Sequence, residues 1–109
     1  MHEFAFIFRV TRPVEPAALP QRNTAARDWA LARRSEGILR SASPLEDGGA
    51  LVTQAGVKSL ATDHPVGAVL VLALADLDAA VALAKTHPGL AHGTQIEVRP
   101  VKTVAPPPR

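Results

Sequence analysis

Residues 2–10, HEFAFIFRV, place Phe4, Phe6, Phe8 and Val10 on one side at period two, with Ala5 and Ile7 on the other. Three aromatics at that spacing predict a strand, and both of its sides are mainly apolar. Residues 66–74, VGAVLVLAL, cannot alternate between core and water, so they predict a central strand buried on both faces. A buried helix is the competing reading, but Pro65, Gly67 and the valines favour a strand. Residues 94–101 alternate plainly: Ile96 and Val98 face one way, Gln95, Glu97 and Arg99 the other. That is an edge-strand pattern, and Pro100 agrees with it because proline cannot donate to a central ladder.

Two segments carry helical periodicity. From Pro20 to Glu36, Ala25, Trp29 and Ala32 form one stripe, opposite Asn23, Arg27 and Arg34. Pro20 suits a helix start and Gly37 a helix stop. From Asp76 to Thr86, Leu77, Ala80, Val81 and Ala84 make the inner stripe. Asp76 is placed to cap the first turn and Lys85 sits in the last, as the macrodipole prefers. Between the two helices, Leu39 to Leu45 reads as a second main strand. Turn signals at Asp47-Gly48-Gly49 and Ala55-Gly56 frame short hairpin strands, Ala50–Thr53 and Val57–Ala61, expected to extend it.

The resulting order, β-α-β-β-α-β, is the signature of a ferredoxin-like α+β sandwich. Its first and third main strands should be central, and the two segments with apolar residues on both sides fill those places. Both helices would cover one face of the sheet. The other would expose Ala5, Ile7 and alternate residues of 66–74, a contiguous apolar surface rarely left to water. A second copy of the chain is the expected cover, so a homodimer is predicted.

Length and composition narrow the picture further. The 109 residues suit one domain, taken as residues 1–102, followed by a proline-rich tail at 103–109. The absence of cysteine excludes disulfides, thiolate nucleophiles and cysteine-ligated zinc. A net charge of +2 gives no reason to expect a nucleic-acid partner. The longest apolar run is about half the roughly 20 residues of a membrane helix, so no membrane partner is expected. No secretory leader is read at residues 1–10, and a cytoplasmic location is the expectation. No cofactor is expected, since the Gly48-Gly49 pair lacks the Lys-Ser/Thr of a P-loop and no serine elbow is present.

Thr62-Asp63-His64-Pro65, Ser43-Pro44-Leu45, the opening EFAFIFR and the closing HPGLAHGTQIEVRPV (residues 87–101) together resemble the DGPF branch of the YCII-related family. The resemblance runs to about Val101. It implies a dimeric α+β barrel, with a pocket between the helices, the facing sheets and the DGPF-type loop. It implies no single activity: one branch contains enzymes acting on chlorinated hydroquinones, and others accompany extracytoplasmic sigma factors. The motif here is Asp63-His64-Pro65-Val66, with both the glycine and the phenylalanine replaced. The segment usual between this motif and the next strand is missing. A histidine early in the first helix is proposed to work with an aspartate in the YciI-like branch. Gln21-Arg22-Asn23-Thr24 stands there instead, so that pair does not carry over.

Against that background, Asp63 and His64 are the candidate catalytic residues, an imidazole beside a carboxylate being suited to general-base work near neutral pH. The plainer reading is an Asx-type turn at Asp63 with His64 facing solvent. Arg9 and Arg99 are candidate ligand-binding residues, guanidinium forks for a carboxylate or phenolate; salt bridges to Glu97, Glu3 or a partner subunit are the alternative. Trp29 is a candidate pocket wall for an aromatic ligand, although a lone tryptophan on an alanine stripe is more often a core anchor. His87 and His92, flanking a turn, read as surface histidines, and no metal site is expected. Two functions follow: binding of a small polar or aromatic molecule in a dimer cleft with proton-transfer or elimination chemistry, or a non-catalytic accessory or regulatory role.

Overall fold

The computed structural model describes residues 1–103, so all but the first residue of the 103–109 tail lies outside the described residues. The chain is a small α+β domain. Its main sheet contains β1 (His2–Val10), β2 (Leu39–Pro44), β5 (Val66–Leu74) and β6 (Thr94–Pro100) in the antiparallel order β2-β5-β1-β6. β1 and β5 are therefore central, as their two-sided apolar patterns require. The marginal strands β2 and β6 each end in a proline, Pro44 and Pro100.

Helices α1 (Leu19–Ser35) and α2 (Leu77–Ala84) cover the same face of this sheet. Phe4, Phe6, Phe8, Leu70 and Leu72 from the strands pack there with Trp29 of α1 and Ala80 and Ala84 of α2. Phe6 and Leu72 are completely buried. The Asp76 side chain accepts the Ala79 N–H at 2.8 Å, the cap expected at the start of α2. Alanines on both helices let them approach the sheet closely.

The other face is open. Pairing puts Ala5 beside Val71 and Arg99, and Ile7 beside Val69 and Glu97. Ser41 and Ser43 of β2 complete those two rows. An apolar centre with a polar margin results.

Three expectations need correction. The hairpin strands β3 (Ala50–Thr53) and β4 (Gly56–Ser59) form a separate two-stranded sheet and do not extend β2. Gly48 and Gly49, both at positive φ, turn the chain away before the hairpin begins. Second, Leu77 and Val81 of α2 are 48% and 37% exposed rather than buried, because this short helix overhangs the edge strand β6. With Leu90, Ile96 and Val98 they line an apolar groove. Third, His87 is buried, with consequences described next.

Candidate functional site

A cavity of about 150 Å³ opens between α1 and one end of the central strands. Small side chains create it. Ala26 and Ala30 of α1 face Gly67 and Ala68 of β5, where larger residues would fill the space. The strand pairing slips at this point, passing from Phe8–Ala68 to Arg9–Val66, so Gly67 is a bulge residue. Val10 N–H then donates to the Pro65 carbonyl at 3.0 Å, and Leu45 N–H to that of Gly67 at 2.9 Å. Phe8, Val10 and Leu70 supply the apolar wall; Arg22, His87 and Thr94 supply the polar groups.

His87 is fixed from several sides. It precedes the 3-10 turn Pro88–His92, and its Nδ1 accepts the Gly89 N–H at 3.0 Å. The ring lies between Phe8 and Trp29, with centroid distances of 4.7 and 4.9 Å. Gly89 is needed beneath it: a Cβ there would sit 3.0 Å from both His87 Nδ1 and Thr94 Oγ1. Burial of the ring, and secondarily the positive charge of Arg22, lower its pKa from 6.5 to about 4. The imidazole is therefore neutral at pH 7. With Nδ1 occupied as an acceptor, its proton resides on Nε2.

Arg22 approaches from the first turns of α1. Its Nε is buried and, among the described residues, has no hydrogen-bond partner. The same arginine lines an adjoining cleft with Arg12, Asp47 and Asp63, so the cavity and this cleft meet at its side chain.

The residues singled out by sequence are dispersed. Asp63 lines the cleft at Arg22, but His64 is exposed and lines none of the cavities described here. The turn around them is closed by His64 N–H donating to Thr62 Oγ1 at 3.3 Å rather than to the Asp63 carboxylate. Arg9 donates to the backbone carbonyl of His64 at 3.3 Å. It also lies 3.7 Å from Glu97, which is 3.7 Å from Arg99, so both arginines share one carboxylate on the open sheet face. Arg9 lines a second, wider cleft there, with Leu45, Glu46, Asp47 and Leu60. Trp29 is a core anchor: buried, donating from Nε1 to Thr86 Oγ1 at 2.9 Å, and packed against the cavity-lining His87 rather than lining the cavity itself.

Arg22 and His87 were the residues missed. A signal for each exists in retrospect. Arg22, Ala26, Ala30 and Arg33 follow one helical row beside Trp29, and His87 stands at the cap position before a Pro-Gly pair. Among the described residues, no helix is long and apolar enough to cross a membrane. No protein-family model matches the chain, and no curated protein matches it.

Proposed function

We propose that this chain is a YCII-like, small-molecule-binding protein that works as a homodimer, its ligand a small carboxylate held between Arg22 and His87. The observation that carries the reading is Arg22, which lines a mainly apolar cavity and whose buried Nε has, among the described residues, no hydrogen-bond partner. A buried donor without an acceptor costs roughly 1–3 kcal/mol, more when charged. A carboxylate supplies that acceptor through a charge-assisted bond, and often through two in parallel. The apolar wall of Phe8, Val10 and Leu70 suits a hydrocarbon body. A cavity of about 150 Å³ is large enough to take benzene, which sets the upper size of that body near a single ring.

The same geometry favours binding over catalysis. A general base needs a free lone pair, and the only unprotonated nitrogen of His87 is already engaged by Gly89 N–H. His87 offers a ligand a donor, Nε2–H. His64, exposed and apart from the cavity, gives no support to proton transfer or elimination. The non-catalytic accessory role is the better-supported of the two functions.

The homodimer rests on the open sheet face, where the half-buried Ala5, Ile7, Val69 and Val71 lie side by side. Two such sheets packed face to face, each a ferredoxin-like sandwich, would close the α+β barrel that the family resemblance implies.

Thermal-shift titration tests the ligand reading with benzoate and with benzamide, its neutral analogue of similar shape. Benzoate should stabilise the wild type and leave Arg22→Met unmoved, since methionine keeps much of the apolar stem but none of the donors. An equal response to benzamide, or an undiminished response in Arg22→Met, refutes the anion site.

A further inference from the structure

The β3–β4 hairpin is an arm without a seat on its own subunit. Every residue of both strands is exposed. Among the described residues the two strands touch each other and no other helix or strand. The arm helps to make the chain broad and flat, 50 × 43 × 21 Å, with a radius of gyration of 15.8 Å where about 13 Å is usual for this length. An isolated two-stranded hairpin is marginal in water and becomes stable when one side is covered.

The arm is also two-faced. Cross-strand partners share a side, so Val52 and Val57 lie together with Ala50 and Ser59, while Leu51 lies with Lys58. The first side carries no charge, yet Val52 and Val57 are 71% and 69% exposed. The second side carries the lysine and continues to Leu60, which lines the cleft at the root of the arm beside Arg9. That arginine stands on the open sheet face, so the arm springs from the margin of the surface through which the homodimer is proposed to form.

We propose that the Val52–Val57 side of this arm clasps a second copy of the chain, as part of the same two-fold interface as the open sheet. The inference rests on the homodimer reading. Interface size argues for it. Four strands about 4.8 Å apart and about seven residues long present roughly 440 Å² of sheet. A standard interface needs about 600–1,000 Å² from each partner, so the sheet alone falls short. One side of the arm adds roughly 130 Å², and the patch it covers on the other copy adds as much again. Each subunit then contributes roughly 700 Å², inside the standard range. A two-fold axis makes both additions reciprocal without any further partner.

Sedimentation equilibrium on the full chain decides the matter with three variants. Val57→Glu, on the apolar side of the arm, should raise the dimer dissociation constant at least tenfold with the far-ultraviolet spectrum unchanged. Lys58→Glu, on the opposite side, should leave it within twofold of the wild type. Ile7→Glu, in the sheet face, tests the dimer itself and should also weaken it. A dimer weakened by Ile7→Glu but indifferent to Val57→Glu refutes the clasp and leaves the dimer standing. A monomeric wild type removes both, and assemblies larger than a dimer that Val57→Glu dissolves would overturn the two-fold clasp in favour of an open chain of arms. Because the chain has no cysteine, Val52→Cys accepts one environment-sensitive fluorophore. Its emission should shift to the blue on dimerisation; no shift across the transition counts against the clasp even if Val57→Glu is disruptive.

Discussion

Replacing His87 by asparagine should remove a pH dependence from folding that the wild type possesses. The asparagine carbonyl can still accept the Gly89 N–H, so the turn keeps its cap while losing its titrating group. In the folded chain burial and Arg22 hold the imidazole pKa at about 4, against 6.5 in the ordinary state. Below pH 6.5 the unfolded chain binds a proton that the folded chain refuses. Stability contributed by the neutral ring is thus complete above that value and declines as pH falls towards about 4. One proton gives at most about 1.4 kcal/mol per pH unit, a ceiling of about 3.4 kcal/mol across the interval. The cavity admits solvent, and screening reduces the expected loss to about 1–2 kcal/mol. Urea unfolding of both proteins from about pH 8 to about pH 4 measures it, as the difference in stability between them at each pH. Carboxylates titrate equally in both and cancel. A difference constant across that range refutes the placement of His87 among Phe8, Trp29 and Arg22.

Three further outcomes follow from the packing. Phe6→Ala, at a completely buried position, should cost about 3–5 kcal/mol in chemical denaturation, and a loss under about 1 kcal/mol would contradict its central position. Gly89→Ala forces a Cβ against His87 and Thr94 and should cost about 1–3 kcal/mol, with a ring-current shift of the His87 protons by NMR; unchanged chemical shifts would show that the ring is not held there. Ala26→Leu should fill the cavity and abolish stabilisation by benzoate while folding persists, and benzoate stabilising this variant like the wild type would move the ligand elsewhere.

The strands were legible because their burial is local information. Phenylalanines at 4, 6 and 8 with Ala5 and Ile7 between them, and the unbroken run at 66–74, declare a two-sided environment in their own neighbourhoods. The same held for Asp76, whose capping role depends only on residues just beyond it. His87 was not legible, since the rings that enclose it come from β1 and α1, far away along the chain. Arg22 was opaque for a related reason: a helix stripe shows which way a side chain faces, but not that small residues opposite leave a hollow. Leu77 and Val81 joined the wrong class because period alone cannot say where a sheet ends beneath a helix. The hairpin strands were recognised from their turns, but their detachment from β2 depends on the glycine-rich bend that precedes them.

The prolines that close β2 and β6 restrict how this protein can polymerise. A lateral margin that recruits further strands needs consecutive amide hydrogens, and each border here lacks one at its terminus. Fibril growth by side-by-side templating is therefore disfavoured at both borders of the main sheet, which leaves its broad surface for association, and in the proposed homodimer a symmetric pairing there would saturate itself after one event.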